Sequence, residues 1–451
     1  MNRRSFLKSM TASFAASTIP YNKDTVSYSI ASSPTTELPN IVYILCDDLG
    51  YGDIGCFGNP VIKTPNLDKL AAEGMRLTDC YAASPVCSPS RAGTLTGRTP
   101  NRTGIYDWIP ENKNIYLSKN EITIATILKS KGYTTCHSGK WHLNSKFNGS
   151  EPTPGDHGFD HWFSTQNNAL PDHHNPINFI RNGNPVGPLE GYSSTVITDE
   201  AISFLKKVRN QPFFLYVCFH TPHEVVASAR EFVDWYPNIT DKNKAEYYGD
   251  VSQMDFEVGR LLHTLETLNL INNTFIMFTS DNGPETLRRY RGADRSYGVP
   301  GPLRGMKLHM YEGGIRVPGI IRWNGKTNPG QVCHEPISSV DMLPTICDIV
   351  DTKVPGDRAI DGSDIMPVFE GKSIQRSVAL YWQYNNAISK PKICIREGAW
   401  KLLATAGLQS FELYNLHDDW TETKDLASIE QECIKTMAKE LIRMHNDVNK
   451  K

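Results

Sequence analysis

The chain has 451 residues, of which 39% are hydrophobic and 21% charged, and its formal net charge is −2. This composition is typical of a folded globular protein and excludes a disordered or a fibrous chain. Because acidic and basic residues are interspersed and nearly balanced, the sequence predicts no nucleic-acid partner and no anionic-membrane surface. The length favours one large domain with a second, smaller one.

The first residues have the pattern of an export signal. The stretch NRRSFLK at residues 2–8 resembles the twin-arginine export motif, and a mildly apolar run follows at residues 10–19. Residues 20–38 are rich in Ser, Thr and Pro, as linkers are. We therefore predict that residues 1–38 are an export signal and linker, and that the protein is exported to the periplasm. No later stretch reaches about 18 uninterrupted apolar residues, so the sequence predicts no membrane-spanning segment.

Strand and helix patterns alternate along residues 39–355. Short apolar runs at 40–46, 213–219 and 274–279 predict strands buried on both faces of a parallel sheet. Amphipathic patterns predict helices at 67–73, 122–131, 197–208 and 244–268. This alternation predicts a large α/β/α sandwich domain.

The pattern changes after residue 355. Short strand-like segments at 378–384, 392–396, 401–404 and 412–415 precede a helical stretch at 429–448. We predict that residues 356–451 form a small C-terminal domain with an antiparallel sheet and a helix. The 10 cysteines are irregularly spaced, so we interpret most of them as core thiols and predict no disulfide.

Polar side chains collect at the ends of the predicted strands, where ligands of open α/β sheets bind. They are Asp47, Asp48, Lys140, His142, His220, Asp281 and Asn282. The carboxylates and the amide are hard oxygen donors, which favour Ca²⁺ or Mg²⁺ over zinc. Each motif alone could be an ordinary turn. Three carboxylates at one sheet edge repel each other, however, and this favours a bound cation.

The most specific string in the chain is CSPSRAGTLTGR, residues 87–98. Pro89 favours the first turn of a helix, which places Cys87 at the positive helix end where an oxyanion is stabilised. Arg91, one turn further on, could neutralise such an anion. Taken alone, a Cys-Ser-Pro loop is usually a buried thiol beside a turn. The full string resembles the signature of the type I sulfatases, in which this cysteine is oxidised to formylglycine and hydrated to a gem-diol nucleophile.

The resemblance extends over nearly the whole chain from Asn40 onwards. It includes ILCDDLG, SGKWH, FHTPH, TSDNGP, and LRGMK followed by EGGIRVP. It implies an alkaline-phosphatase-like fold, one Ca²⁺ ion, and conversion of Cys87 to formylglycine by a formylglycine-generating or sulfatase-maturing enzyme. By similarity, the metal ligands are Asp47, Asp48, residue 87, Asp281 and Asn282. The residues that contact sulfate are, by similarity, Lys140, His142, His220 and Lys307, although each could be an ordinary surface lysine or structural histidine.

The resemblance also implies a two-step mechanism. One hydroxyl of the hydrated formylglycine attacks sulfur while Ca²⁺, Lys140 and Lys307 hold the sulfate oxygens, and His220 protonates the leaving alcohol. A covalent sulfo-enzyme results. His142 then takes a proton from the second hydroxyl, which expels sulfate. Arg91 and the metal keep the diolate ionised.

Two alternative functions share these features. One is a phosphodiesterase or phosphonate monoester hydrolase of the same superfamily, and the other is a catalytically silent glycan-binding relative, which we would expect to lack Cys87 or Lys307. The polar stretch 166–191, with His173, His174, Asn175 and Arg181, and the basic stretch 288–295 could read a sugar or be ordinary solvated loops. Resemblance to bacterial polysaccharide sulfatases, and to N-acetylgalactosamine-sulfatase-like and arylsulfatase A-like enzymes, favours a sulfated galactose, N-acetylgalactosamine or algal-polysaccharide sugar as substrate.

Overall fold

The structure is a computed structural model that describes residues 38–285, 289 and 293–450. Residues 1–37, with the predicted export signal, lie outside the described residues. So do residues 286–288 and 290–292, which include four of the eight residues of the predicted basic loop at 288–295. From Leu38 onwards the chain forms one compact unit, and the predicted domain boundary at residue 355 stays a prediction.

A sheet of 11 strands forms the centre of the molecule, in the order β10-β2-β9-β8-β1-β7-β3-β4-β5-β6, with β11 beside β2. The strands are β1 Asn40–Asp47, β2 Met75–Tyr81, β3 Thr134–Lys140, β4 His161–Thr165, β5 Ile180–Arg181, β6 Asn184–Pro185, β7 Phe213–Pro222, β8 Thr274–Ser280, β9 Arg316–Trp323, β10 Gln331–Cys333 and β11 Ile337–Ser338. Strands β8, β1, β7, β3 and β4 are parallel. Strand β9 runs antiparallel to both β8 and β2. The sheet is therefore mixed: its central strands are parallel, as predicted, and antiparallel strands extend it at both edges.

Helices cover both faces of this sheet, as predicted. They are α1 Pro65–Glu73, α2 Cys87–Thr96, α3 Ile124–Ser130, α4 Ser193–Val208, α5 Arg230–Val233, α6 Lys242–Thr267, α7 Glu312–Ile315, α8 Met342–Ile349, α9 Met366–Phe369 and α10 Gln431–Val448, with 3-10 turns at Gly55–Phe57, Pro100–Thr103, Pro154–His157, Ile271–Asn273, Ala293–Arg295 and Ser339–Asp341. In the described residues, no helix combines the length and apolarity needed to cross a membrane.

Strand β1 shows why the layers form. Its side chains alternate between faces, so that Ile41 and Leu45 pack in the core beneath α2, α3 and α8. Val42 and Ile44 pack on the opposite face with α1, α4 and α6. Both sets are fully buried, and the predicted α/β/α sandwich is confirmed.

A second sheet of four antiparallel strands follows, in the order β12-β13-β14-β15. The strands are β12 Leu380–Gln383, β13 Ile393–Glu397, β14 Trp400–Ala404 and β15 Phe411–Asn415. One face packs on α10 through Met437 and Leu441. The other face packs against the start of α2 through Trp382. The small sheet with its helix is thus confirmed, and it lies directly beside Cys87.

A buried charge network joins the small sheet to the large domain. The Lys401 ammonium lies 2.9 Å from a carboxylate oxygen of Glu312 and 2.9 Å from one of Glu422. The other Glu422 oxygen accepts the backbone N–H of Glu312 at 2.6 Å. The Arg304 guanidinium donates to the Glu422 carbonyl at 3.1 Å. This network fixes both ends of the segment 304–312, which contains Lys307.

Candidate functional site

Four neighbouring parallel strands deliver polar residues to one edge of the large sheet. Strands β8, β1, β7 and β3 lie side by side in that order, so their carboxyl ends coincide. Asp281 follows β8, Asp47 and Asp48 end β1, and Lys140 ends β3. These side chains are at most 1% exposed. The structure therefore brings together the groups that the sequence collected at the strand ends.

Three ion pairs hold this buried cluster together. The Lys140 ammonium lies 2.5 Å from Asp47 Oδ2, and the Lys307 ammonium lies 2.7 Å from Asp48 Oδ2. Arg91 Nη2 lies 2.7 Å from Asp281 Oδ2, and its Nη1 donates to the Lys140 carbonyl at 2.9 Å. Three cations thus compensate three carboxylates.

This pairing weakens one argument for a metal. The repulsion among the carboxylates, which favoured a cation at the level of sequence, is relieved in part by Arg91, Lys140 and Lys307, while Asp47 still raises the pKa values of Asp48 and Asp281. Support for a metal therefore depends on the oxygen atoms that have no hydrogen-bond partner.

Burial and charge shift the pKa values of these carboxyls in different directions. Burial tends to raise the pKa of Asp47, but Lys140, His223 and Arg91 outweigh it and hold the pKa well below its usual value. Burial raises the pKa of Asp48 to about 6, against the opposing charge of Lys307. Asp47 therefore stays ionised to a lower pH than Asp48 does.

Cys87 is the first residue of α2, as the position of Pro89 predicted. Its side chain is 3% exposed. Burial raises the pKa of the thiol to about 11, although the charges of Lys140 and Lys307 lower it in part. As encoded, residue 87 is thus a neutral thiol at the positive end of a ten-residue helix.

A cavity of about 560 Å³ opens above the cluster, and Cys87, His142, His223, Glu224 and Lys307 are among the residues that line it. Asp47, Asp48, Arg91 and Lys140 are fully buried and are not among the described residues that line it. The cavity is thus bordered by a helix N-terminus, an ammonium group and two imidazoles.

His220 is not among the described residues that line this cavity. Its Nε2 lies 2.7 Å from the Thr165 hydroxyl, and the side chain is 1% exposed. Burial, with the charges of His173 and Lys140, holds its pKa well below the usual value. His220 is therefore a buried neutral imidazole beside the site.

His223 occupies the position on the cavity that the sequence assigned to His220. Its Nδ1 lies 2.8 Å from the Glu224 carbonyl, and its Nε2 lies 3.7 Å from Asp48 Oδ2. Glu285, buried and 3.6 Å from the Lys307 ammonium, is a second neighbour that sequence reasoning missed. The signal for His223 was present as the second histidine of FHTPH.

His142 presents one free nitrogen. Its Nε2 lies 3.1 Å from the Ile109 carbonyl, which can only accept, so Nε2 must carry the proton. Its Nδ1 is buried and has no hydrogen-bond partner. Burial and the charges of Lys140 and Arg91 hold the pKa of His142 well below its usual value, so the ring is neutral with a lone pair on Nδ1.

The predicted substrate-reading stretch contributes only its first residues to the cavity. Asn167 and Asn168 line it. His173 is instead buried against Asp250, at 3.3 Å, and Arg181 forms a two-fold hydrogen-bonded pair with Glu200 at 2.9 and 2.6 Å. Those two side chains are engaged within the protein.

The free donor atoms fit a hard divalent cation. Asp47 Oδ1 and Asn282 Oδ1 are buried and lack a hydrogen-bond partner, although Asp47 Oδ1 lies 3.7 Å from Arg91 Nη2. The Asn282 amide nitrogen donates to Asp48 at 2.7 Å, which leaves its carbonyl oxygen available. Among the acidic and imidazole side chains described, Asp47, Asp48 and His223 hold ligand atoms within 4.8 Å of one another. Oxygen-rich sets of this kind suit Ca²⁺.

Comparison with known proteins adds to this geometry. Residues 39–352 match the family model described as Sulfatase, and residues 306–448 match N-sulphoglucosamine sulphohydrolase, C-terminal. The chain is 36% identical to N-acetylgalactosamine-6-sulfatase of Rattus norvegicus, over 76% of this chain and 68% of the relative. It is 31% identical to steryl-sulfatase of Homo sapiens, over 79% and 74%. The solved structure of Ps i-CgsB with k-i-k-neocarrahexaose superposes with a TM-score of 0.82 at 29% identity, over 90% of this chain and 93% of that one. The chain therefore belongs to the sulfatase family of sulfuric ester hydrolases.

Proposed function

We propose that this protein hydrolyses a sulfate ester of a sulfated carbohydrate. The observation that carries the proposal is the cavity of about 560 Å³ in which Cys87, His142 and Lys307 meet. The similarity to an N-acetylgalactosamine-6-sulfatase and to a structure that holds k-i-k-neocarrahexaose supports a galactose- or N-acetylgalactosamine-type sugar.

Residue 87 is proposed to act as formylglycine, formed from Cys87 by a maturing enzyme. A neutral thiol with a pKa of about 11 is a poor nucleophile near neutral pH, which supports a modified residue at this position. A hydrated aldehyde would supply two hydroxyls, one to attack sulfur and one to release the product. The N-terminus of α2 favours negative charge on them.

One Ca²⁺ ion is proposed to bind the carboxylates of Asp47, Asp48 and Asp281 and the Asn282 amide oxygen, next to residue 87. Its chemistry would be to withdraw electron density from a sulfate oxygen. The free oxygens of Asp47 and Asn282 support this assignment. Asp48 and Asp281 are the weaker ligand candidates, because both oxygens of each already accept hydrogen bonds. Those of Asp281 accept from Arg91 and from the backbone N–H of Asp48, and those of Asp48 accept from Asn282 and Lys307.

The cations of the site bind and polarise the anionic substrate. Lys307 lines the cavity, so its ammonium can donate directly to a sulfate oxygen. Arg91 and Lys140 are buried and are not among the described residues that line the cavity. Their positive charges act on an anion in the cavity across the protein interior, without touching it. Such preorganised charge stabilises the transition state of ester hydrolysis.

We propose opposite roles in proton transfer for the two imidazoles on the cavity. The lone pair on Nδ1 makes His142 the proposed base that takes a proton from residue 87. We propose His223 as the acid that protonates the leaving alcohol, because it lines the cavity and His220 does not. Its Nδ1 proton is bonded to the Glu224 carbonyl, so it must act as the imidazolium, with a second proton on Nε2, although burial lowers its pKa. His220 is then a buried structural residue next to the site, bonded to the Thr165 hydroxyl. This reassigns the acid role that the sequence gave to His220.

Export to the periplasm is proposed from the twin-arginine motif alone. Replacing Arg3 and Arg4 by lysine should retain the protein in the cytoplasm of its host, and fractionation with immunoblotting measures this. Unchanged export of that variant would remove the proposal.

The leaving group separates the two histidines by experiment. A sugar alkoxide needs a proton, whereas nitrophenolate hardly does, and a general acid contributes typically about 10²–10⁴-fold. We expect His223→Ala to lower kcat/KM for N-acetylgalactosamine 6-sulfate at least about 100-fold more than for nitrophenyl sulfate. His220→Ala is the matched control and should lower both to a similar extent. Selective loss in His220→Ala would return the acid role to His220, and no sulfate release from any sugar would refute the proposed substrate class.

A further inference from the structure

A second cavity adjoins the one above Cys87. It measures about 490 Å³ and is lined by residues that include Trp108, Phe147, Gln166 and Asn178. Trp108, Asn167 and Asn168 line both cavities. The two spaces are therefore neighbouring parts of one cleft, each of a size that holds a small ligand.

Trp108 is an exposed aromatic side chain at the junction of the two cavities. Its side chain is 46% exposed, and its backbone N–H donates to Asp107 Oδ1 at 2.8 Å. Asp107 also accepts from the Tyr384 hydroxyl at 2.8 Å and from the Asn386 amide at 2.6 Å. The loop is thus tied to Tyr384 and Asn386, which also line the first cavity. A loop held in place loses little entropy when a ligand packs on its exposed indole.

The shared wall is rich in amide groups with free acceptors. Asn178 donates to the Asn168 carbonyl at 2.8 Å, and Gln166 donates to the Asn144 carbonyl at 2.7 Å, so both side chains are fixed. The side-chain oxygens of Asn167 and Asn168 are buried and have no hydrogen-bond partner. Unpaired buried acceptors are satisfied by a ligand that brings hydroxyl donors.

The charges of the second cavity are nearly balanced. Lys146 and Glu111 are the ionisable groups among its lining residues, and Lys146 lies 3.9 Å from the buried Glu151. The cations of the site are concentrated in the first cavity. The second cavity therefore suits a hydroxyl-rich ring with little charge, packed on an aromatic face.

We propose that the substrate is an oligosaccharide in which the sulfated sugar fills the cavity above residue 87 and an adjoining sugar ring fills the second cavity, against Trp108 and Phe147. This inference rests on the proposed carbohydrate sulfatase activity and specifies its substrate class. A steroid nucleus, the alternative suggested by the steryl-sulfatase relative, would leave the amide wall unpaired, and such sites reject analogues that lack the hydroxyls.

Turnover of matched substrates tests the proposal. The pairs are N-acetylgalactosamine 6-sulfate with a tetrasaccharide that carries it internally, and a sulfated galactose with neocarrahexaose that carries the same sulfate. We expect kcat/KM to be at least about tenfold higher for the oligosaccharide of the accepted pair, a difference of about 1.4 kcal/mol. Trp108→Ala and Phe147→Ala should reduce this ratio to below about threefold. Trp235→Ala, a partly exposed tryptophan outside both cavities, should retain it.

Equal kcat/KM for the two substrates of the accepted pair would overturn the proposal. It would also be overturned if Trp108→Ala and Phe147→Ala both kept the preference for the oligosaccharide, or if the enzyme preferred a steroid sulfate.

A binding experiment distinguishes failure of the proposed cleft from failure of the proposed sulfatase function. The wild-type protein should bind the desulfated tetrasaccharide or hexasaccharide in calorimetry, and Trp108→Ala should weaken that binding at least about tenfold. Binding without turnover would refute the sulfatase substrate and retain the cleft, whereas no binding of either oligosaccharide would refute the cleft.

Discussion

Replacing Lys401 by methionine tests the buried charge network that ties the small sheet to the segment containing Lys307. The substitution keeps the length of the side chain and removes its charge, which leaves Glu312 and Glu422 buried without their shared partner. Lys401 and Glu312 are 0% exposed and Glu422 is 1% exposed. The variant therefore isolates the electrostatic contribution of one buried cation.

The distances set the size of the effect. Each Lys401 pair at 2.9 Å has a Coulomb energy of about 6 kcal/mol at an effective dielectric constant of about 20. Desolvation of the ammonium offsets much of this, and removal of one partner from a buried ion pair typically costs about 3–5 kcal/mol. We expect the free energy of unfolding to fall by about 3–5 kcal/mol at pH 8.

The loss should depend on pH because Glu422 can take up a proton. Burial raises the pKa of Glu422 to about 7 even with Lys401 present, and it rises further without that cation. A carboxyl with a raised folded-state pKa stabilises the fold below its unfolded pKa and loses that contribution as the pH rises through the folded value. The Lys401→Met loss should therefore be about 1–2 kcal/mol smaller at pH 6 than at pH 8.

Denaturant unfolding followed by tryptophan fluorescence at pH 6 and pH 8 measures these values. Lys435→Met is the matched control, since Lys435 forms an exposed pair with Glu432 and should change the free energy of unfolding by less than about 0.5 kcal/mol. A Lys401→Met loss below about 1 kcal/mol at pH 8, or a larger loss at pH 6, would contradict the reasoning.

Three further outcomes are expected. Peptide mass spectrometry of active enzyme should show formylglycine at residue 87, and Cys87→Ala should abolish sulfate release with an unchanged melting temperature; full activity with unmodified cysteine would exclude the mechanism. Chelation should remove activity, Ca²⁺ should restore it, and Asp47→Asn should weaken Ca²⁺ binding in calorimetry at least about tenfold; full recovery with zinc alone would count against the oxygen ligands. Although burial raises the pKa of Glu200, its hydrogen bonds to His161 and Arg181 lower it to about 2 from an ordinary 4.5. The contribution of ionised Glu200 to the free energy of unfolding should thus be lost as the pH falls from 4.5 to about 2. Acid unfolding of Glu200→Gln should lack this pH-dependent loss of stability.

The sequence predicted the layers and most element positions, because apolar runs and amphipathic periods report burial directly. It missed the edge formed by β9, since the direction of a strand depends on its neighbours in space. It also missed the ion pairs between Lys140 and Asp47 and between Lys307 and Asp48, which join residues 93 and 259 positions apart.

The two histidines of FHTPH show most clearly what could not be predicted from the sequence. The apolar run predicts a strand that ends near residue 219, but β7 continues to Pro222. The three additional strand residues, 220–222, carry the chain past His220, and His223 lines the cavity. A motif fixes the spacing of the two imidazoles, whereas the length of the strand decides which of them lines the cavity.

The burial of Cys87 also has a consequence for the order of events during synthesis. The helix that begins at this residue is buried along its whole length, and the small sheet, formed by residues 380–415, packs over its first turn. If Cys87 is converted as proposed, a modifying enzyme that needs this side chain should therefore act before residues 380–415 have docked. Oxidation of Cys87 and folding would then compete, and a chain that folds first would keep a buried, neutral thiol. The yield of active enzyme should then increase when translation or C-terminal docking is slowed.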